Sequence, residues 1–235
     1  MKLGILDAVP RKYWATDQGI TDSEKFIAML EHVMENTVFS KFFVAEGEWP
    51  ADLSDFDAYL ITGSPCSAND NFPWIKQLEQ FVRDCVTLQQ KLAGICFGHQ
   101  LIAGALGGKV ERRVDGWLLG MQSFDIVDDQ QWMIPPQKKC EIYHINQDHV
   151  TELPESARRI AWSEQCENSA YVIDELVLCL QGHPEQPRRA MENFFIELLD
   201  TGVDPEEIEQ GRESLKNEVP DADLWAQWIG HFYGF

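Results

Sequence analysis

Residues 91–106 read KLAGICFGHQLIAGAL and combine three local patterns that decide the fold. The first five residues form a short apolar run that predicts a buried strand, and the last six continue as a helix. Between them, Gly94 and Gly98 flank the single cysteine Cys96. A strand, a sharp turn with small flanking residues and a helix are typical of a nucleophile elbow, because neighbouring elements crowd the strained backbone of the nucleophile.

Cys96 has two interpretations on this pattern alone. As a nucleophile it lies at a helix N-terminus, where the dipole and free N–H groups stabilise negative charge and can hold an oxyanion. As a structural residue it is a small apolar side chain in a glycine-rich turn, since short patterns recur by chance. The local fit to strand, turn and helix favours the first, which also requires a base and a group that orients the base.

The segment QGHPE, residues 181–185, supplies both groups. It follows the apolar run LVLCLQ, so His183 lies at a strand end, where side chains reach the edge of an α/β sheet. Glu185 can bond the far ring nitrogen and fix the tautomer, with Pro184 stiffening the connection. Taken alone, the segment also fits a surface loop with an ordinary histidine and acid.

Elements in the first half of the chain alternate between strands and helices. One helix opens on the capping box TDSE (21–24), and a second, amphipathic helix runs from Trp74 to Leu88. The order β-α-β-β-α-β-α predicts an α/β fold with an open, mostly parallel central sheet and helices on both faces. The predicted strands are KLGIL (2–6), KFFVA (41–45), DAYLIT (57–62) and KLAGI (91–95).

The second half predicts extra antiparallel strands and a helical C-terminal extension. We expect one domain over residues 1–235, with a catalytic core in 1–190 and the extension in 191–235. The aromatic side chains of the tail either cover its own core, the simpler case, or dock a partner. The predicted strands are 121–127, 138–145, 158–163, 170–173 and 176–181, the helices are 188–199, 206–217 and 221–233, and the tail aromatics are Trp225, Trp228 and Phe232.

Composition argues against several classes of protein. With 19 Lys and Arg against 39 Asp and Glu, the formal net charge is −20, which disfavours binding to nucleic acid or to an anionic membrane. The six cysteines form no CxxC pair, so structural zinc and a disulfide framework lose support. The apolar run at the N-terminus is too short for a signal peptide, and no stretch approaches the ~20 apolar residues of a membrane span. We therefore expect a cytoplasmic protein with reduced thiols.

GICFGHQ and QGHPE together resemble the class I (triad-type) glutamine amidotransferases, in which Cys, His and Glu hydrolyse the side-chain amide of glutamine. The resemblance covers roughly residues 40–190. It implies a flavodoxin-like fold, with Cys96 as nucleophile, His183 as general base and acid, and Glu185 as the orienting group. The patterns TGSPxSxxD and QDxV before LPE are most similar to the stand-alone GMP-synthase-like group, and the plant γ-glutamyl peptidases are similar too.

The same resemblance implies further site residues. The oxyanion hole is formed by Gly63 and Ser64 of the ITGSP loop and by Phe97 after the nucleophile, and the implied substrate-binding residues are Gln100, Asp115, Gly116, Trp117 and Asn146. One position departs from the family pattern. Relatives often read H-Q-D where this chain has Asn146-Gln147-Asp148, and asparagine can donate and accept hydrogen bonds but cannot titrate.

These features predict hydrolysis of glutamine through a γ-glutamyl thioester, with ammonia passed to an acceptor. No metal or organic cofactor is required, and the substrate is a small molecule. The chain carries no GxxxxGK[ST] or GxGxxG phosphate loop, so acceptor chemistry needs a separate synthetase protein. The alternatives are an autonomous γ-glutamyl peptidase and a non-catalytic regulatory or binding module, and the intact Cys, His and Glu set argues against the module.

Overall fold

A nine-stranded sheet runs through the part of the chain that the computed structural model describes, residues 1–13, 19–216 and 219–235. In chain order the strands are β1 (Lys2–Asp7), β2 (Val38–Phe43), β3 (Ala58–Ile61), β4 (Lys91–Ile95), β5 (Lys109–Arg112), β6 (Leu118–Ile126), β7 (Lys139–Asn146), β8 (Asp148–Glu152), β9 (Ala157–Trp162), β10 (Ala170–Ile173) and β11 (Val177–Leu180). The helices are α1 (Asp22–Leu30), α2 (Pro73–Thr87), α3 (Phe97–Ala105), α4 (Arg188–Asp200), α5 (Pro205–Ser214) and α6 (Ala222–Tyr233).

The sheet has a parallel half and an antiparallel half. Its strand order is β2-β1-β3-β4-β11-β10-β9-β6-β7. The first five strands in this order pair in parallel, and the remaining pairings are antiparallel. Strands β5 and β8 form a separate antiparallel pair. The predicted α/β fold, an open parallel sheet extended by antiparallel strands, is confirmed.

Alternating side chains of the parallel strands pack into two hydrophobic cores, one on each face of the sheet. Leu3 and Ile5 of β1 point to the face covered by α1 and α6. Leu6 and the β3 residues Tyr59 and Ile61 point to the opposite face, which α2 and α3 cover. Both faces of these strands are therefore buried, as expected where helices flank a parallel sheet on both sides.

The C-terminal helices complete the hydrophobic core. Trp225 and Trp228 of α6 are fully buried and Phe232 nearly so, in the same core as α1, so the tail covers its own core. Helices α4 and α5 pack with β6 in a third cluster. The predicted helix 206–217 ends in the structure at Ser214, and its last residue, Asn217, lies outside the described residues. No helix in the described ranges is long and apolar enough to cross a membrane.

Two local predictions differ from the structure. Strand β2 is Val38–Phe43, so it begins three residues and ends two residues earlier than predicted. It ends there because Val44–Glu46 form a 3-10 helix, which is capped by Gly47 with φ of 83°. Strands β5 and β8 were not predicted. Their sequences KVER and DHVTE are too polar to show the apolar alternation on which strand prediction relies.

The fold places three sequence motifs at one edge of the sheet. Strands β3, β4 and β11 are adjacent and parallel, so their carboxyl ends meet. The loop beginning at Thr62 follows β3, Cys96 follows β4, and the segment containing His183 follows β11. In open α/β sheets this edge is where ligands bind.

Candidate active site

Cys96 occupies a strained turn between β4 and α3. Its φ of 51° lies in the left-handed region, which is costly for a residue with a side chain. A Cβ on Gly94 would lie 2.7 Å from the backbone of Gly98, and a Cβ on Gly98 would lie 2.5 Å from the carbonyl oxygen of Ile61. Both flanking positions therefore require glycine, which gives the elbow predicted from the sequence a steric reason.

The ring of His183 is held by Glu185. Nδ1 of His183 lies 2.7 Å from Oε1 of Glu185, and both side chains are almost completely buried. A carboxylate accepts hydrogen bonds, so Nδ1 carries the proton and Nε2 is left to act as a base. Nε2 has no partner in hydrogen-bond geometry among the described residues, and the Cys96 thiol lies close enough to influence the ring.

The protonation of His183 responds to opposing effects. Burial by itself lowers the pKa of the ring, but the proximity of Cys96 and Glu185, together with the hydrogen bond to Glu185, raises it. The net result is a His183 pKa well above the usual value of 6.5. The site therefore stabilises the protonated ring, the form that is produced when an imidazole takes the proton of a thiol.

The residues expected to form the oxyanion hole lie around this pair. Gly63 and Ser64 follow β3, and a Cβ on Gly63 would lie 2.9 Å from Cε1 of His183. The loop backbone thus approaches the ring closely. Phe97 is the first residue of α3, so its N–H has no partner within the helix. The two expected sources of backbone donors are brought together at the same strand ends.

A buried polar network, which the sequence does not predict, supports Glu185 from behind. Gln186 donates through Nε2 to Oε1 of Glu185 at 3.0 Å and to Oδ1 of Asp22 at 3.1 Å. Nζ of Lys25 donates to Oδ1 of Asp22 at 3.0 Å and to Oε1 of Gln186 at 2.9 Å. Gln186 directly follows the HPE motif and could have been found for that reason. Lys25 has no sequence signal, because on α1 it resembles any surface lysine.

Gln100 and Asn146 are fixed by one backbone carbonyl. Nε2 of Gln100 donates to the carbonyl oxygen of Asp148 at 2.8 Å, and Nδ2 of Asn146 donates to the same oxygen at 3.0 Å. Oδ1 of Asn146 lies 3.2 Å from Nδ1 of His144. Both residues line the cavity, but the amide of Asn146 is engaged within the protein. Both ends of the Asn146 amide are therefore held by hydrogen bonds within the protein.

Of residues 115–117, two line the cavity and one does not. Gly116 and Trp117 line the cavity, and the backbone N–H of Trp117 donates to Oε2 of Glu207 on α5 at 3.1 Å. The carboxylate of Asp115 instead accepts a hydrogen bond from Nη2 of Arg113 at 2.6 Å. Its side chain is 65% exposed, outside the set of described residues that line the cavity. The structure therefore does not bring Asp115 together with the other expected substrate-binding residues.

The thiol opens into a cavity of about 730 Å³ with two unlike sides. The first, here called the strand-end side, comprises Cys96, His183, Gln186 and the α1 residues Asp22 and Lys25. The second, here called the cap side, comes from the small β5–β8 sheet and from the region of α4 and α5. Its lining includes Arg112, Asp148, Phe194, Glu197, Leu198, Val203, Asp204 and Glu207. The C-terminal helices thus form part of the site as well as part of the core.

Comparisons with known proteins show which proteins this chain resembles. A family model described as glutamine amidotransferase class-I matches residues 21–199. Gamma-glutamyl peptidase 3 of Arabidopsis thaliana is 30% identical over 207 residues, covering 84% of this chain and 83% of that protein. The glutamine-hydrolyzing GMP synthase of Christiangramia forsetii is 28% identical over 159 residues, covering 65% of this chain and 30% of that protein.

A solved structure extends the likeness over the whole fold. A glutamine amidotransferase from Thermotoga maritima matches with a TM-score of 0.78 at 19% identity, covering 100% of this chain and 99% of that chain. At this identity the match concerns the fold alone. It includes the C-terminal helices, which lie largely beyond the region matched by the family model.

Proposed function

Because this chain belongs to the class I glutamine amidotransferase family, we propose that it hydrolyses γ-glutamyl amides, including the side-chain amide of glutamine, through Cys96, His183 and Glu185. The predicted family and enzyme class, a glutamine amidotransferase-type hydrolase, are confirmed. One observation carries the proposed site. A cysteine strained at φ of 51° at a helix N-terminus faces a buried histidine whose other nitrogen is bonded to a buried carboxylate at 2.7 Å.

The proposed reaction begins with transfer of the thiol proton from Cys96 to Nε2 of His183. The sulfur attacks the amide carbonyl carbon, and backbone N–H groups of the 63–64 loop and Phe97 hold the resulting oxyanion. His183 then protonates the departing nitrogen, and the carbon–nitrogen bond breaks to leave a γ-glutamyl thioester. Water, deprotonated by the same ring, attacks the thioester and releases glutamate and the free thiol.

Glu185 is proposed to keep the ring of His183 in one tautomer throughout these steps. The hydrogen bond to Nδ1 prevents the ring from turning its protonated nitrogen toward the sulfur. Gln186 holds the same carboxylate oxygen, and the pair of Asp22 and Lys25 holds Gln186. This buried support limits the movement of the acid.

A second candidate function, cleavage of γ-glutamyl peptides, is favoured by the shape of the cavity. Its volume of about 730 Å³ falls in the range of about 300–1,000 Å³ that accommodates drug-sized ligands, which leaves space beyond glutamine itself. The α4–α5 part of the cap side, where the centre of the Phe194 ring lies 5.7 Å from Nζ of Lys25, offers the apolar side chains of Phe194, Leu198 and Val203 to a larger leaving group. Ammonia transfer from glutamine instead requires an acceptor site on a separate synthetase protein, and the similarity to a glutamine-hydrolyzing GMP synthase supports that alternative.

Both candidates are tested by measuring glutamate release from glutamine and from a set of γ-glutamyl peptides. Wild-type protein should release glutamate, and Cys96→Ala should reduce the rate to background with both kinds of substrate. Equal release by the two proteins would overturn the nucleophile assignment. A kcat/KM for peptides far above that for glutamine would support the peptidase, whereas activity on glutamine that rises with a co-purified synthetase would support ammonia transfer.

A further inference from the structure

Arg112 and Asp148 form a charged pair on the cap side of the cavity. They lie directly opposite each other where β5 pairs with β8. Nε of Arg112 contacts Oδ1 of Asp148 at 3.2 Å, and the hydroxyl of Ser67 donates to Oδ2 of the same carboxylate. Asp148 is buried, whereas the Arg112 side chain is 63% exposed. The pair thus fixes the Nε edge of the guanidinium, in a side chain that lines the cavity and is still largely exposed.

A γ-glutamyl substrate carries an α-carboxylate that any specific site has to recognise. Guanidinium groups match carboxylates in charge and in fork geometry. Apart from His183, the cationic side chains among the described lining residues are Lys25 and Arg112. Only these two can therefore meet the α-carboxylate with a full positive charge.

The position of the leaving group decides which of the two cations can meet the α-carboxylate. His183 has to protonate the leaving nitrogen, so the leaving group lies on the His183 side of the attacked carbon. Lys25 belongs to that side, since it is joined to Glu185 through Gln186. The acyl half of the substrate then extends the other way.

A chain of contacts leads from the thiol to Arg112 on this other side. The backbone N–H of Gln100 donates to the carbonyl oxygen of Cys96, one helical turn earlier, and Nε2 of Gln100 donates to the backbone carbonyl oxygen of Asp148. Three carbons separate the attacked carbonyl from the α-carboxylate in a γ-glutamyl group, a span on the order of one helical turn, about 5.4 Å. An acyl chain lying along Gln100 therefore brings its carboxylate to the part of the cavity occupied by Asp148 and Arg112.

We propose that Arg112 binds the α-carboxylate of the γ-glutamyl group and makes the site specific for γ-glutamyl over other amides. The proposal rests on the hydrolase function above. Asp148 anchors the Nε edge of the guanidinium, and the Nη edge receives the substrate. The residue is specificity-determining, because the attacked bond lies at the opposite end of the acyl chain.

The test compares L-γ-glutamyl-p-nitroanilide with its analogue in which the α-carboxylate is an α-carboxamide. For the wild type we expect kcat/KM to fall about 10- to 100-fold on the change of substrate, as for the loss of a charged hydrogen bond. In Arg112→Met the two substrates should become nearly equivalent, mainly through a higher KM for the carboxylate substrate. Arg112→Lys should be intermediate, because it keeps the charge but not the fork.

The control variant is Lys109→Met, which removes an exposed cation from the same strand, away from the described lining of the cavity. Its discrimination between the substrates should equal that of the wild type. A ratio that stays at the wild-type value in Arg112→Met overturns the proposal, and so does an equal loss with both substrates.

A binding measurement separates this proposal from the hydrolase proposal. Calorimetric titration of γ-glutamyl-p-nitroanilide into Cys96→Ala and into Cys96→Ala/Arg112→Met requires no turnover. We expect the second variant to bind about 10-fold or more weakly. Such a difference in the absence of wild-type hydrolysis would reject the hydrolase and keep the recognition role, whereas equal affinities would reject the role of Arg112.

Discussion

The strand-end side and the cap side of the cavity differ in how tightly their polar groups are held. On the strand-end side, His183 and Gln186 are buried, and each is hydrogen-bonded to the buried Glu185 behind them. On the cap side, Asp148 is buried and hydrogen-bonded, but most of the other charged side chains, those of Arg112, Glu197 and Asp204, are exposed. Buried polar groups tolerate little change, because each lost partner leaves an unsatisfied group in a region of low dielectric constant. Exposed residues that line the cavity can be substituted with little loss of stability. The first side is suited to fixed chemistry and the second to substrate selection.

The largest effect is expected at Glu185, which holds the ring of His183 on the strand-end side. Glu185→Gln keeps the shape of the side chain but allows the amide to donate to Nδ1 of His183, which favours the wrong tautomer. We expect kcat for γ-glutamyl hydrolysis to fall about 10³- to 10⁴-fold with little change in KM, as when the acid of a serine-protease triad is made an amide. Steady-state kinetics measures kcat and KM, and circular dichroism checks that the variant is folded. A rate within tenfold of wild type would show that ring orientation is not set by Glu185.

The next effect concerns the buried ion pair that supports the strand-end side. Lys25→Met leaves Asp22 without its cation in a buried site, and we expect a loss of about 3–5 kcal/mol in the free energy of unfolding. Lys41→Met is the matched control. Lys41 pairs with Glu24, also on α1, but these side chains are 34% and 44% exposed, so the expected loss is about 0–1 kcal/mol. Urea unfolding of both variants measures the difference, and similar losses would contradict a special role for the buried pair.

Asp7, at the end of β1, makes the stability of the protein depend on pH. Burial, with the charge of Asp22, raises the pKa of this carboxyl from 3.8 to about 6. The folded protein therefore binds the proton more tightly than the unfolded chain. The resulting stability is complete below pH about 4 and is lost as the pH rises through about 6, an effect of up to about 3 kcal/mol.

Asp7→Asn cannot titrate and should remove this contribution. The difference in unfolding free energy between variant and wild type should move in favour of the variant as the pH rises from 4 to 7. Denaturation at several pH values measures this difference. A constant difference over that range would mean that Asp7 titrates alike in the folded and unfolded states.

The strand-end side was easier to predict from the sequence than the cap side, because its motifs are contiguous in the chain. The elbow at Cys96 was predictable because β4, two glycines and α3 are contiguous and each has a local steric reason. The HPE segment was predictable as an acid two residues after a histidine. Their meeting followed from parallel strands that end at one edge of the sheet.

The cap side depends on contacts between distant parts of the chain. Arg112 meets Asp148 only because the polar strands β5 and β8 pair, and neither strand shows apolar periodicity. The expectation that Asp115 joins the site stays a prediction, although its carboxylate pairs with Arg113 instead of reaching the cavity. The family resemblance named residues 115–117, of which Gly116 and Trp117 line the cavity, but it did not predict that the Asp115 side chain faces away.

A smaller effect is expected at the glycine of the elbow. Gly98→Ala places a methyl group 2.5 Å from the carbonyl oxygen of Ile61, and backbone cannot move aside as a flexible side chain can. We expect a loss of about 1–3 kcal/mol, with reduced activity because the turn carrying Cys96 shifts. Gly104→Ala lies in the same helix with nothing within 4 Å of the new methyl group, and should be stabilising by about 0.5–1 kcal/mol. Opposite signs in thermal unfolding would establish crowding as the cause, and equal signs would contradict it.

The smallest effect is expected on the cap side, at Glu207. Glu207→Ala removes the acceptor for the N–H of Trp117, whereas Glu206→Ala removes an exposed carboxylate from the same first turn of α5. Both variants lose a similar interaction with the helix dipole, so the difference between them isolates the contact with Trp117. We expect Glu207→Ala to be less stable than Glu206→Ala by about 1 kcal/mol, with altered KM values among γ-glutamyl peptides and an unchanged kcat. A fall in kcat comparable to that of Glu185→Gln would mean that the cap side takes part in the chemistry, and the division between the two sides would not hold.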